Sequence, residues 1–207
     1  MNEFKTISDS KKEFHLCFPF VIAPIYRRIT DELLVELHLL KHQKSFIANN
    51  LFAVGLTKVF DDFMQGYRPE EHKTKLFEAL CKCNGFDSNQ IKKDSQKTLN
   101  EVNNQTLDGI EKYLKDNTEE DVKNIFYSRL SVIGVRTLVR TSKDNASISS
   151  EDLDKKTKFI CEKLGFTVSR VDKDLSVYNS NLGKINQALE LLREGVEREK
   201  RKKAKSN

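Results

Sequence analysis

The chain has 207 residues, with 36 Lys and Arg against 31 Asp and Glu, giving a formal net charge of +5. From Arg193 onward seven basic and three acidic residues give +4, so the rest of the chain carries only +1. This distribution excludes a uniformly basic nucleic-acid binder and indicates a balanced body with a basic tail. Nowhere do roughly 18 apolar residues run uninterrupted, so no membrane-spanning helix is predicted.

The amino-terminal stretch MNEFKTISDSKKEF contains no apolar segment. We therefore expect no secretory signal peptide, and its acidic residues also disfavour an organelle transit peptide. Four cysteines, Cys17, Cys81, Cys83 and Cys161, are sparse and irregularly spaced. Such usage indicates a reduced compartment rather than a disulfide framework.

Helical periodicity dominates the chain and no segment alternates as a strand would, so the predicted fold class is all-α, a multi-helix bundle. The predicted helix starts, in chain order, are Ser10 (in a capping box with Glu13), Pro24, Asn49 or Asn50, Pro69, Asp87, residues 118–121, and Ser149 or Ser150. The predicted ends are near Phe18, Lys44, Gly66, Gly85, Lys115 and Gly165, with a break near residues 103 and 104 and a loop over 141–150.

The last segment has the most regular pattern. Apolar side chains recur at alternating spacings of three and four, the heptad pattern of a helix that packs along one seam. The seam consists of Val168, Val171, Leu175, Tyr178, Leu182, Ile185, Leu189, Leu192 and Val196. Its flanking positions carry no complementary charge code, so docking on the chain's own body, on another protein or on a second copy all stay open. We predict a helical body over residues 1–165 and a long heptad helix over 166–207 that binds a partner.

The basic tail consists of Arg198, Lys200, Arg201, Lys202, Lys203 and Lys205. It is interpreted either as a solvated helix end, where lysines suit the helix dipole, or as a contact for anionic lipid, nucleic acid or an acidic partner. Nucleic acid is the weaker option because no aromatic residues are interleaved. A nucleic-acid-binding regulatory helical protein remains the alternative function.

His38 and His42 lie four residues apart, a spacing found in helical zinc sites. Leu39 occupies the position where the metalloprotease pattern needs a glutamate, and two histidines cannot complete a four-coordinate site. We therefore interpret both as structural, with His38 on the polar strip of its helix. A metal-dependent enzyme that uses them with Glu32 and Glu36 is the third hypothesis.

Arg28, Glu32 and Glu36 are spaced by four residues in the segment YRRITDELLVELHLLKH. The two glutamates border the apolar face of the helix, where carboxylates are usually paired with a cation. The spacing predicts a structural ladder of ion pairs from Arg28 through Glu32 to Glu36.

Cys81 and Cys83 are too close for a usual zinc knuckle, and on a helix their thiols point about 200° apart. One buried and one exposed thiol are expected. The glycines form no phosphate-binding loop, dinucleotide fingerprint or nucleophile elbow. We therefore predict no catalytic residue, no cofactor, no metal and no enzymatic activity.

Three stretches resemble the thylakoid-formation protein family, which is also described as a photosystem II biogenesis factor of cyanobacteria and plastids. They are TISDSKKEFHLCFPFVIAPIYRRITDELLVELHLL, LFAVGLTKVFDDFMQGYRPEEHKTKLFEALCKCNGFD and LSVYNSNLGKINQALELL, at residues 6–40, 51–87 and 175–192. The resemblance covers nearly the whole chain in order, and is least distinctive over 100–150 and in the basic tail.

The resemblance implies an all-helical protein without a catalytic centre. It implies a peripheral factor on the cytoplasmic or stromal side of the thylakoid membrane that supports photosystem II assembly or repair. It also implies association with the membrane-bound FtsH protease complex and the photosystem II repair machinery. No residue-level binding map comes with the resemblance, so the seam and the tail remain the candidate binding residues.

Overall fold

The computed structural model describes residues 5–116, 126–143 and 148–205. Over these residues the chain forms nine helices and no strand, which confirms the all-α prediction. The helices are α1 Ile7–Cys17, α2 Pro24–Lys41, α3 Asn50–Phe63, α4 Glu70–Lys82, α5 Ser88–Val102, α6 Leu107–Asp116, α7 Arg129–Thr141, α8 Ser150–Lys163 and α9 Val168–Lys205.

Most helix starts follow from local capping chemistry. Pro24 occupies the first turn of α2, where its missing N–H costs nothing. Asn49, Asp87 and Ser149 each accept hydrogen bonds from backbone N–H groups of α3, α5 and α8. Pro69 precedes α4. These five starts agree with the sequence prediction because a cap acts within a few residues of itself.

Two predicted starts are wrong or untested. The capping box of α1 is formed by Thr6 and Asp9, one turn before Ser10, which is buried instead. The helix expected from residues 118–121 falls partly outside the described residues, and α7 begins only at Arg129 with Ser128 as its cap. At the start of α1 a second hydroxyl residue, Thr6, offers an equivalent local signal one turn before Ser10, and Ser10 is used in the interior instead.

The centre of the fold is the crossing of α3 and α7. A Cβ on Gly55 would lie 1.7 Å from the carbonyl oxygen of Leu130, and one on Gly134 would lie 2.1 Å from that of Leu51. The two backbones therefore touch, and only glycine fits at either position. Around this crossing α5 packs on α3, α8 packs on α7, and α1, α2 and α4 contact one another.

The hydrophobic core continues past residue 165 into the last helix. Phe166, Val171, Leu175, Tyr178 and Ile185 belong to the same cluster of buried residues as the rest of the chain. Gly165, with a φ of +80°, ends the turn after α8 and lets α9 fold back. The predicted boundary at 165 therefore marks the start of a helix, and the first part of that helix completes the body's core.

Candidate partner-binding surface

The heptad seam of α9 has two different environments. Val171, Leu175, Tyr178 and Ile185 are buried, and Leu182 and Leu189 are partly buried against the core. Val168, Leu192 and Val196 are exposed to 39%, 56% and 52%. We call residues 168–189 the docked half and residues 190–205 the overhang.

The docked half therefore meets its own chain, since it packs on α7 and α8 and reaches α3. This corrects the assignment of the whole seam to a partner. Val171, Leu175, Tyr178 and Ile185 have no surface left for another protein, because intramolecular packing already covers them. Only the exposed end of the seam stays a candidate for partner binding.

A buried tyrosine joins the docked half to α3. The hydroxyl of Tyr178 donates to the Oδ2 atom of Asp62, and the Oδ1 atom of Asp62 accepts from Nζ of Lys58 at 2.7 Å. Burial raises the pKa of the Tyr178 phenol, and the neighbouring Asp62 carboxylate raises it further. The neutral phenol is therefore the form that the fold holds.

Two further polar contacts orient the docked half. The Oδ1 atom of Asp154 on α8 accepts from Nε of Arg136 on α7 at 2.7 Å, and its Oδ2 atom accepts from Nδ2 of Asn179 at 2.8 Å. The Tyr127 hydroxyl donates to Asp174 at 2.5 Å. Because hydrogen bonds need specific geometry, these contacts determine which turn of α9 faces which helix.

The last seam residue to contact the body is Leu189. A Cβ built on Gly66, in the turn after α3, would lie 3.1 Å from Cδ2 of Leu189. Gly66 has a φ of +70°, a conformation that L side chains rarely adopt. Beyond this point no described side chain of α9 is buried, so the helix continues as an overhang.

The overhang carries an apolar stripe of Leu191, Leu192 and Val196, exposed to 69%, 56% and 52%. Leu192 and Val196 are four residues apart and share one helical face, with Leu191 at its edge. Leu191 lies off the heptad seam and was missed by the sequence prediction. Its position beside Leu192 was the signal that it belongs to the stripe, because helices that dock usually have an apolar stripe wider than the seam.

The basic tail is exposed where it is described. Arg198 and Arg201 are paired with Glu194 and Glu197, one turn earlier, at 3.2 and 3.6 Å. Exposed pairs of this kind contribute little to stability, so both guanidinium groups stay accessible. Lys200 is exposed as well. The side chains of Lys202, Lys203 and Lys205 lie outside the described part of the structure.

Within the part of the chain that the structure describes, none of the helices has both the length and the hydrophobicity of a membrane span. The sequence model of the family described as thylakoid formation protein matches residues 6–207. The chain belongs to the thylakoid formation protein family. The expected family is thereby confirmed.

Relatives of this thylakoid formation protein support the same assignment along the whole chain. The chain is 47% identical to Protein Thf1 of Parasynechococcus marenigrum strain WH8102 over 205 residues, 99% of this chain and 95% of the relative. It is 44% identical to Protein Thf1 of Prochlorococcus marinus strain NATL1A over 187 residues, 90% and 94% of the two chains. A solved structure titled "Structure of Psb29 at 1.55A" has 32% identity and a TM-score of 0.85, covering 97% of this chain and 99% of that one.

In this thylakoid formation protein the predicted ion-pair ladder forms only in its first step. Nε of Arg28 donates to Glu32 at 2.9 Å, as the spacing predicts. Glu36 is instead paired with Nη2 of Arg129 on α7, at 2.5 Å. Burial raises the pKa of the Glu36 carboxyl, and the guanidinium of Arg129 opposes that rise. The prediction for Glu36 was wrong because its partner is distant in sequence.

His38 is buried, which corrects its placement on the polar strip. Its Nδ1 atom lies 2.9 Å from Oγ of Ser10 on α1, and Nδ1 of His42 contacts the backbone oxygen of His38 at 2.8 Å. Burial lowers the pKa of the His38 imidazole, so the fold favours its neutral form. Among the residues that the structure describes, no group of three or more His, Cys, Asp or Glu side chains could hold a metal ion.

Both Cys81 and Cys83 are buried, so the expectation of one exposed thiol was wrong. Cys83 caps the end of α4, and its backbone oxygen accepts from Nζ of Lys5 at 2.5 Å. Burial raises the pKa of each thiol to about 12. Thiols of this kind are poor nucleophiles at neutral pH.

Proposed function

We propose that this thylakoid formation protein is a non-enzymatic accessory factor that supports photosystem II assembly or repair. In this proposal it acts at the cytoplasmic or stromal face of the thylakoid membrane and associates there with the membrane-bound FtsH protease complex. Family membership supports the general role. The observation that carries the proposal is the apolar stripe of the overhang, which extends past the body of the chain without a partner among the described residues.

A helix that presents a short apolar stripe suits a groove on another protein, where a few side chains act as anchors. Leu192 and Val196, together with Leu191, offer such anchors on consecutive turns. The arginines beside them favour binding to an acidic patch or an anionic membrane surface. Electrostatic attraction to such a membrane contributes about 1 kcal/mol per basic residue near its surface. The stripe would therefore provide contact area, and the tail would bring the stripe to a negatively charged location.

The stripe is tested by replacing Leu191, Leu192 and Val196 together with serine. The fold should persist because all three side chains are at least half exposed. We expect the variant to lose co-isolation with the FtsH protease from solubilised thylakoid membranes, measured by affinity isolation and mass spectrometry. Unchanged recovery of the protease would contradict the proposal.

A matched control keeps the number and type of changes but places them elsewhere. Leu16, Ile47 and Phe159 are exposed to 74%, 66% and 50%, and lie on other surfaces of the chain. Their combined replacement by serine should leave co-isolation unchanged. An equal loss in both variants would show that general surface hydrophobicity, rather than the overhang, drives recovery.

The charge contribution is tested separately by changing Arg198, Lys200 and Arg201 to glutamine. Membrane co-sedimentation should fall in this variant and recover little at low salt, because the basic charges themselves are missing. Lys173 and Lys184, exposed on the docked half, provide a charge-matched comparison when changed with one further exposed lysine, Lys82. If both triple variants sediment alike, position on the tail is irrelevant and this part of the proposal is wrong.

A further inference from the structure

A cleft lies between α3, α4 and α5, away from the overhang. The cleft has a volume of about 650 Å³, within the range of small-molecule sites. Three helices contribute four lysines to its wall: Lys58 from α3, Lys73 from α4, and Lys92 and Lys93 from α5. Two carboxylates, Asp61 and Glu70, also line it, so the lining carries two positive charges in excess.

The pairing of these lysines leaves part of that charge uncompensated. Lys58 is bonded to Asp62 at 2.7 Å, and Lys73 is paired with Asp61 at 3.2 Å. Nζ of Lys92 lies 5.1 Å from the ring centre of Phe77. Within the described residues neither Lys92 nor its neighbour in the cleft, Lys93, is paired with a carboxylate.

The apolar floor of the cleft strengthens electrostatic interactions between the lysines and a bound ligand. Phe60 and Phe77 line it and are only 4% and 2% exposed, so one side of the cleft is protein interior rather than water. Thr57 and the buried Ser95 add hydroxyl groups that lie 2.7 Å apart. A charge held against an apolar floor is less screened than one on an open surface.

We propose that this cleft binds a phosphate group, carried either by a small soluble molecule or by a lipid headgroup. Lysine ammonium groups bind phosphate as point charges without a required fork geometry, and several can converge on one group. The limited volume of the cleft and its aromatic floor suit a compact ligand with an apolar part better than an extended acidic peptide. This site is independent of the overhang and of its partner.

The test changes the two lysines that no carboxylate compensates. Lys92→Gln with Lys93→Gln keeps most of each aliphatic stem, and it spares Lys58, which supports Tyr178 through Asp62. Inorganic phosphate and glycerol phosphate are titrated into the full chain by calorimetry. We expect the native chain to bind the probes at one site. The affinity should fall by roughly tenfold or more in the double variant, because two charge-assisted contacts are lost.

The control has the same change in net charge but lies outside the cleft: Lys82→Gln with Lys173→Gln, both exposed. It should bind the phosphate probes as the native chain does. Equal weakening in both variants would assign the effect to net charge and overturn the proposal. Circular dichroism checks that both variants keep the fold.

The source of the phosphate is distinguished by flotation with vesicles of phosphatidylcholine, with and without phosphatidylglycerol. In one outcome the Lys92 and Lys93 variant loses binding to the phosphatidylglycerol vesicles while neither chain responds to the soluble probes. That result supports a lipid headgroup as the ligand of the cleft. Selective loss with the soluble probes alone supports a free phosphate ligand. If neither the soluble probes nor the vesicles respond to the change of these lysines, the cleft does not recognise phosphate.

Discussion

The docked half and the overhang of α9 share one helix and one heptad pattern, yet they have opposite environments. Leu175 in the docked half is 2% exposed, whereas Leu192 in the overhang is 56% exposed. Both lie on the same heptad seam. The comparison shows that periodicity specifies which face of a helix is apolar but not what covers that face.

The two halves also differ in their polar contacts. The docked half is joined to the rest of the chain through Tyr178, Asn179 and Asp174, which bond to residues far away in sequence. The described ion pairs of the overhang, from Arg198 and Arg201, stay within the helix at a spacing of four. An intrahelical pair stabilises a helix without positioning it, so the overhang remains available to a partner.

The largest contrast is expected between two truncations. A chain that ends at Gly165 loses four fully buried seam side chains, and at about 1.5–3 kcal/mol each this approaches the whole stability of a typical domain. A chain that ends at Glu190 loses, among the side chains that the structure describes, only exposed ones. We expect the first chain to be unfolded and the second to melt within a few degrees of the native chain, by circular dichroism. A folded chain ending at Gly165 would show that the body does not need the docked half.

Matched leucine substitutions sharpen the same contrast. Leu175→Ala leaves a cavity in the core and should cost about 2–5 kcal/mol. Leu192→Ala removes an exposed side chain and should change stability by less than about 0.5 kcal/mol. Urea unfolding of the two variants measures both values. Equal costs would mean that the overhang is packed in solution, for instance in a dimer.

Tyr178→Phe tests the polar contact to α3 without changing the volume of the ring. The carboxylate of Asp62 then loses one donor but keeps Lys58. The loss of a buried, charge-assisted hydrogen bond should cost about 1–3 kcal/mol in urea unfolding. A change close to zero would show that packing alone positions the docked half.

The same tyrosine predicts a dependence on alkaline pH. Because its pKa is raised above the ordinary value of 10.0 in the folded chain, its contribution is complete below pH 10 and is lost as the pH rises beyond that value. The slope from one such group is at most about 1.4 kcal/mol per pH unit. Stability measured from pH 9 upward should fall more steeply for the native chain than for Tyr178→Phe. Parallel curves would contradict a raised pKa.

The smallest effects are expected from replacing one glycine in each half of α9 by alanine. Gly183 lies in the docked half and Gly195 in the overhang, and a Cβ on either would have no neighbouring atom within 4 Å. Alanine gains up to about 1 kcal/mol of helix propensity at each position. At 183 this gain should raise the melting temperature, because the docked half unfolds with the body. At 195 it should raise only the helical signal, since the overhang can fray separately.

Much of the fold could be predicted from local sequence. The starts at Asn49, Asp87 and Ser149 follow from side chains that bond to backbone groups within the next turn. The pair between Arg28 and Glu32 was equally predictable, since a spacing of four places both on one helical face. These features depend on residues that lie within about four positions of each other in the sequence.

Other features depend on residues brought together only by folding. The contact between Glu36 and Arg129 joins positions 93 residues apart, and Ser10 meets His38 across two helices. The candidate phosphate cleft had no sequence signal either, because its lysines come from three separate helices. No local sequence pattern indicates contacts between residues so far apart in the chain.

The amino-acid sequence by itself determined that the chain is helical, where most helices begin and that the last helix has one continuous apolar seam. Those properties arise from hydrogen bonds and periodicity within a few residues. Only the tertiary structure decided that the body of the chain covers the seam from Val171 to Leu189 and leaves Leu192 and Val196 exposed. The physical reason is that burial requires a second surface, and the reach of the body's surface along α9 is set by how the other helices pack.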